Sequence, residues 1–177
     1  MASRTFDRIL APIDFAPATD QEKADGSALA IGDDGWVVIS PATVKCLEIA
    51  RTLAAGGHVE LVHATPDPRA AALYWTGDGA WIASQNPDAL DGAARERTTA
   101  FLQRLAEAHC HGVETSCVVQ PGSGIEVILD AARRHPPDAI ILASSGRGRV
   151  RRAFLGSTAD KVIRQAPCPV MVVPPPE

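Results

Sequence analysis

The sequence predicts one α/β domain in which a five-stranded parallel sheet carries helices on both faces. The chain has 177 residues, of which 46% are hydrophobic and 5% aromatic, and this composition suits a single core of small aliphatic side chains. Five short apolar runs alternate with amphipathic stretches along the chain. The connections have lengths that suit right-handed crossovers between parallel strands, so the predicted fold is Rossmann-like.

The charge balance limits the partners that the protein can have. A formal net charge of −4 gives no general attraction to nucleic acid or to an anionic membrane, so neither is predicted as a partner. No apolar run approaches the roughly 20 residues of a membrane span, and the N-terminus lacks the apolar core of a signal peptide, which predicts a cytoplasmic protein. Four cysteines without paired spacing favour reduced thiols over disulfides or a zinc site. One basic cluster is formed by Arg147, Arg149, Arg151 and Arg152.

The first predicted strand covers residues 8–14 and ends on Asp14. Open parallel sheets bind their ligands at the carboxyl ends of the strands, so the position of Asp14 favours a ligand contact. The alternative is that Asp14 only caps or turns the chain.

Residues 18–40 separate this strand from the first long helix, and they are predicted to contain a β-hairpin. Two apolar runs, 27–31 and 36–39, flank the turn-forming sequence Gly-Asp-Asp-Gly. An isolated hairpin is only marginally stable, so we expect it to pack on the domain or on a partner and to bury Trp36 at least in part. A surface elaboration without chemistry and a lid or partner contact both remain open.

Helices and strands alternate through the middle of the chain. A helix is predicted at 41–55 with Ser40 as its N-cap, and a long amphipathic helix at 87–109. His63 is interpreted as a packed or hydrogen-bonded strand residue, and the aromatic residues within 69–86 are expected to seal the edge of the core. The other elements predicted here are a strand at 58–64, a strand at 113–119, and a helix that starts after Ser123 and ends before Pro136.

The C-terminal segment contains the strongest functional pattern. An apolar strand is predicted at 138–143, and the N-terminus of a helix is expected at 156–158. The spacing of Ser157 and Asp160 predicts a capping box, and the free backbone N–H groups of 156–158 are then expected to point outward. Such a helix end attracts anions. Two prolines then stop the helix, and 170–173 forms the last strand.

Other phosphate-binding and hydrolytic motifs fit the sequence poorly. No Gly-Lys-Ser or Gly-Lys-Thr triplet indicates a P-loop, and Gly146-Arg-Gly148 lacks the third glycine of a dinucleotide fingerprint. No Gly-x-Ser-x-Gly sequence indicates a serine hydrolase.

The C-terminal pattern resembles the universal stress protein family. ATP-binding members of that family carry a glycine, two residues, a glycine, nine residues, and then a glycine followed by Ser or Thr. Here nine residues separate Gly146 from Gly156, and Ser157 follows, whereas Ala143 stands in the place of the first glycine. Residues 166–173 resemble the closing strand of the family.

The resemblance implies an adenine nucleotide alpha hydrolase-like fold and a site for ATP, with or without Mg²⁺, at the carboxyl ends of the strands. It also implies a homodimer that pairs through residues 170–173, an uncharged strand whose exposed edge would otherwise risk aggregation. The residues that it assigns to the nucleotide are Pro12 and Asp14 for the adenosine, Ala64 through its backbone for the adenine, and Ala143, Gly146, Gly156 and Ser157 for the phosphates. The residues themselves add Arg147 as a source of charge and Thr158 as a backbone donor at the helix start.

The predicted function is that of a stress-response protein that binds ATP or a related adenine nucleotide and acts through nucleotide-dependent conformation or partner interaction. Two alternatives remain, namely a dimeric interaction module that binds no nucleotide and a slow ATPase. For an ATPase, Asp14 is an acidic partner for a metal ion, but the sequence contains no convincing general base. No catalytic residue is therefore assigned.

Overall fold

The computed structural model describes residues 6–32, 35–65, 87–144 and 155–175. The strands within these residues are β1 Arg8–Pro12, β2 Phe15–Pro17, β3 Leu29–Ile31, β4 Gly35–Ile39, β5 His58–Thr65, β6 Glu114–Pro121, β7 Ala139–Ala143 and β8 Val170–Val173. The helices are α1 Asp20–Ala24, α2 Pro41–Leu53, α3 Pro87–His109, α4 Gly124–Arg134 and α5 Ser157–Gln165.

The main sheet has five parallel strands in the order β6-β5-β1-β7-β8, which confirms the predicted fold class. From the central β1 the chain moves outward to β5 and β6, and it then crosses back to form β7 and β8 on the other side. The connections therefore diverge between β1 and β7. In parallel α/β sheets this point of divergence is the crevice where ligands bind.

Helices on the two faces of the sheet bury two apolar cores. Successive strand residues face opposite sides, so neighbouring residues of β1 belong to different cores. Ile9 packs in one core with Leu47 of α2 and Phe101 of α3. Leu10 packs in the other with Val162 of α5 and the apolar side of α4. Among the described residues, no helix combines the length and the apolar character that a membrane crossing requires.

Two helices begin at the caps that the sequence predicts. The Ser40 hydroxyl accepts a hydrogen bond from the Thr43 amide at 3.0 Å, and Pro41 occupies the first helical position of α2. At the start of α4, Ser123 and Glu126 form a capping box, in which each side chain accepts from the backbone amide of the other residue. These local bonds orient both helices on the sheet.

Residues 15–39 contain a three-stranded antiparallel sheet, here called the insert sheet, in the order β2-β4-β3. Its β3 and β4 lie where the sequence predicts a hairpin, whereas β2 and the short helix α1 are additional elements. This insert sheet is anchored to α3, where the Arg104 guanidinium donates to the carbonyl of Ala30 at 2.6 Å. Val37, on the inner face of this sheet, is only 5% exposed, whereas Trp36, on the outer face, is 45% exposed.

A buried acid lies near the amino ends of the strands, on the side opposite the crevice. Glu60 of β5 is 2% exposed, and its carboxylate lies 3.2 Å from Nδ1 of His135 and 3.1 Å from Nη2 of Arg8. Because Arg8 begins β1 and His135 follows α4, this carboxylate connects two elements to β5. Nearby, Nε2 of His58 lies 2.8 Å from the Ser116 hydroxyl, and burial, together with the charge of Arg8, lowers the pKa of His58.

Candidate functional site

A cleft of about 510 Å³ opens at the carboxyl ends of the strands, where the connections diverge between β1 and β7. Small-molecule sites typically enclose about 300–1,000 Å³. The residues predicted from sequence that line this cleft are Pro12, Asp14, Ala64, Ala143, Gly156, Ser157 and Thr158. Gly146, the arginine cluster that begins at Arg147 and the aromatic connection at 69–86 lie outside the described residues.

The turn after β1 brings Asp14 to the mouth of the cleft. The strand ends at Pro12, two residues before the predicted end, and the Ile13 amide then donates to the Val62 carbonyl at 2.8 Å. Ile13 is buried, whereas Asp14 is exposed. An ionised carboxylate only accepts hydrogen bonds, so Asp14 suits a ligand that presents hydroxyl groups.

Two alanines line the cleft from the strands on either side of β1. Ala64 belongs to β5, and Ala143 ends β7, where it pairs with Val173 of β8. The pairing continues to the next residue, since the Ser144 amide donates to the Val173 carbonyl at 2.9 Å. Ala143 is therefore an extended strand residue that needs no left-handed backbone. An alanine in place of the first motif glycine is compatible with this conformation.

The N-terminus of α5 faces the cleft, but its cap differs from the predicted one. Gly156 is the N-cap with φ −59° and ψ 150°, and Ser157 is the first helical residue, so the predicted capping box between Ser157 and Asp160 is wrong. The Asp160 carboxylate accepts instead from Arg164, and these hydrogen bonds lower its pKa. The Gly156 amide donates to the Ser144 carbonyl at 2.7 Å, which corrects the prediction that this N–H is free.

The amides that follow Gly156 remain suited to a ligand. Ser157, Thr158 and Ala159 occupy the first turn of α5 and line the cleft. A backbone N–H in the first turn of a helix has no acceptor four residues earlier within that helix. The positive end of the helix dipole lies at the same place, so this wall of the cleft favours an anionic group.

The sequence reasoning missed several residues that line the cleft. Thr43 of α2 is buried there, and its hydroxyl lies 2.9 Å from that of Ser40. Gly122, in the loop after β6, and Gly124, the first residue of α4, also line the cleft. Gly122 has a φ of 137°, and a Cβ added at Gly124 would lie 3.7 Å from the side chain of Thr158. The sequence signal for these two residues is the Gly-x-Gly spacing directly after a predicted strand, which also fits the start of a helix at Ser123.

His63 and Phe15 form a stacked pair beside the cleft. Their ring centroids are 4.1 Å apart and their planes are inclined by 11°. Nδ1 of His63 lies 2.8 Å from the carbonyl oxygen of Ile13, so His63 is packed and hydrogen-bonded, as the sequence predicts. The edge of the Phe101 ring of α3 supports Phe15 from another side, with centroids 5.2 Å apart. The pair connects the cleft, the insert sheet and the main domain.

The fold and the cleft define a class of protein, namely parallel α/β domains with a crevice at the point where the connections of the sheet diverge. A sequence model described as the universal stress protein family matches residues 36–174. The chain belongs to the universal stress protein family.

Curated relatives match parts of the chain. A universal stress protein of Thermus aquaticus is 44% identical over 52 residues, which cover 29% of this chain and 38% of that protein. Universal stress protein MJ0531 of Methanocaldococcus jannaschii is 33% identical over 76 residues, which cover 43% of this chain and 44% of that protein. Less than half the length of each of these relatives is therefore matched.

Solved structures match nearly the whole chain. The structure of hypothetical protein MJ0577 superposes with a TM-score of 0.64 at 19% identity, over 98% of this chain and 99% of that one. A universal stress protein family member of Arabidopsis thaliana, solved with AMP bound, superposes with a TM-score of 0.53 at 14% identity, over 96% of this chain and 92% of that one. Identities at this level show a shared fold.

Proposed function

We propose that this protein binds ATP or a related adenine nucleotide in the cleft and acts through nucleotide-dependent conformation or partner interaction. The observation that carries the proposal is the convergence of three kinds of group around one cleft: the exposed carboxylate of Asp14, the backbone at Ala64 and the first turn of α5. These suit a ribose, a purine base and phosphates respectively. The AMP-bound family member from Arabidopsis thaliana supports the choice of an adenine nucleotide as the ligand class.

The first turn of α5 supplies the phosphate contacts in this proposal. Each hydrogen bond to a charged group contributes about 1.5–3 kcal/mol. Two such bonds, from the amides of Ser157 and Thr158, would change the affinity by about a hundredfold or more. Binding therefore depends on backbone amides and tolerates an alanine at position 143.

A single proline substitution at the start of α5 tests the phosphate contacts. Ser157→Pro removes one amide N–H but keeps α5, because proline is favoured at the first helical position and Gly156 already has an extended ψ of 150°. Ser157→Ala is the matched control, since it removes the hydroxyl and keeps the amide. We expect calorimetry to show ATP affinity reduced about tenfold or more in the proline variant and much less in the alanine variant.

Two results would contradict the proposal. One is the absence of ATP binding to the wild type at millimolar nucleotide, which would favour an interaction module that binds no nucleotide. The other is an equal affinity of wild type and Ser157→Pro, which would place the phosphates elsewhere.

We also propose that two copies pair through β8. This strand is the outermost strand of the main sheet on its side, and the nearby side chains of Met171 and Ile163 are 41% and 45% exposed. An apolar strand edge is protected when a second chain covers it. Light scattering at tens of micromolar is expected to show a dimer for the wild type and a monomer for Val172→Lys. A monomeric wild type would refute this assembly.

A further inference from the structure

We propose that His63 and Phe15 are positioning residues that hold Asp14 against the ribose of the nucleotide, so that the insert sheet contributes to recognition of the ligand. The inference rests on the proposed function, because it assigns Asp14 to the ribose hydroxyls. It is carried by the contacts of the two residues that flank Asp14 in the chain, Ile13 and Phe15.

His63 holds the residue before Asp14. A carbonyl oxygen only accepts hydrogen bonds, so the 2.8 Å contact from Nδ1 of His63 to the Ile13 carbonyl places a hydrogen on Nδ1. The Ile13 amide donates in turn to the Val62 carbonyl at 2.8 Å. Both polar backbone groups of Ile13 are thus bonded to β5. His63 is 8% exposed, so water has little access to this contact.

Phe15 holds the residue after Asp14. Its ring lies flat on the imidazole of His63 and meets the edge of Phe101 at 76°. Aromatic pairs in such arrangements attract beyond the area that they bury. Phe15 is also the first residue of β2, where it pairs with Ile39 of β4. The insert sheet therefore fixes the ring from one side and α3 supports it from another.

One imidazole consequently restrains the backbone on both sides of Asp14. A residue that is ordered before the ligand arrives loses less conformational entropy on binding. A carboxylate accepts up to about four hydrogen bonds, so it can receive ribose hydroxyls in addition to the partners that it already has. Without the restraint, the contribution of these hydroxyls to affinity should fall, while base and phosphate contacts persist.

The test compares the affinities of ATP, 2′-deoxy-ATP and 3′-deoxy-ATP by calorimetry. Wild type is expected to prefer ATP over at least one deoxy analogue by about tenfold. Phe15→Leu removes the stacking ring, and His63→Phe keeps a ring for the stack but removes the donor to Ile13. Trp36→Leu is the matched control, because it removes an exposed aromatic side chain of the same insert sheet.

We expect Phe15→Leu and His63→Phe to lower the preference for ATP at least about threefold, and Trp36→Leu to preserve it. In an Asp14→Ala background, Phe15→Leu should cause no further change in the preference, because the group that it positions is gone. A change in overall packing alone would alter all three affinities equally. Circular dichroism confirms that each variant is folded before its ratio is used.

The outcomes separate this inference from the proposed function. Folded Phe15→Leu or His63→Phe protein with the wild-type preference overturns the positioning role and leaves nucleotide binding intact. A wild type that binds ATP and both deoxy analogues equally overturns the assignment of Asp14 to the ribose. A wild type that binds none of the three refutes the proposed function itself, and the positioning role with it.

Discussion

Replacing Ala143 by glycine restores the first glycine of the family motif, and we expect it to weaken the fold without improving nucleotide binding. Ala143 is an extended residue of β7 and is half-buried against the core on the α2 and α3 side. Glycine in a strand costs about 0.5–1 kcal/mol through backbone entropy. Losing a half-buried methyl group adds about 0.4 kcal/mol, which is half the value for a fully buried carbon. The free energy of unfolding should therefore fall by about 1–1.5 kcal/mol.

Urea unfolding followed by circular dichroism measures this stability, and calorimetry with ATP measures the affinity. Ala30→Gly, at an exposed position of β3, is a control for the backbone contribution alone and should cost about 0.5–1 kcal/mol. If the backbone at Ala143 had to be left-handed when nucleotide binds, alanine would cost roughly 1–2 kcal/mol there. Ala143→Gly would then raise the ATP affinity about tenfold, and that result would refute the reasoning from the strand conformation.

Two further predictions concern the buried acid at the amino ends of the strands. Glu60→Gln removes the counter-charge of Arg8. Because the Arg8 side chain is itself 30% exposed, we expect the free energy of unfolding in urea to fall by about 1–3 kcal/mol, less than for a fully buried pair. A loss no larger than that of the exposed control Glu48→Gln would contradict this prediction. The pKa of His58 is lowered in the folded state, so the folded state binds fewer protons than the unfolded state once the pH falls below about 6.5. The contribution of His58 to stability is therefore complete above that pH and is lost as the pH falls through the lowered pKa. His58→Gln should flatten the unfolding free energy between about pH 7 and 5, and an unchanged slope would exclude His58 as the cause.

The helices and strands whose signals lie within a few residues of one another in the chain could be predicted from the sequence. Ser40 followed by Pro41 defines the start of α2. The Ser40 hydroxyl accepts from the Thr43 amide, and Pro41 has no N–H that would lack a partner at the first helical position, so both effects act within one turn. The apolar run at 138–143 predicts a strand covered on both faces, and the middle residues of the observed strand β7 are buried in the two cores. The spacing from Gly146 to Ser157 indicated the family, which the match over residues 36–174 shows independently.

The cap of α5 could not be predicted from the sequence, because it depends on the backbone angles of Gly156. Ser157 and Asp160 have the spacing of a capping box, but the Asp160 side chain is one methylene shorter than that of Glu126, which forms such a box with Ser123. In addition, the Gly156 amide donates to the Ser144 carbonyl, and Gly156 rather than Ser157 is the N-cap, so the helix starts one residue earlier than predicted. That bond joins residues twelve positions apart in the chain, so it cannot be predicted from the helix sequence alone.

The sequence predicts some of the residues that line the cleft, and the tertiary structure decides how they are arranged around it. The chain alone placed Asp14 at the end of an apolar run, where strand ends are expected to carry function, whereas Ala64 was assigned only through the family resemblance. Only the strand order set β5 and β7 on either side of β1, and only packing brought Phe15 onto His63, 48 positions further along the chain. Local propensity acts over a few residues, whereas contacts between distant residues are selected by the burial of a shared core, and no short stretch of sequence contains that information.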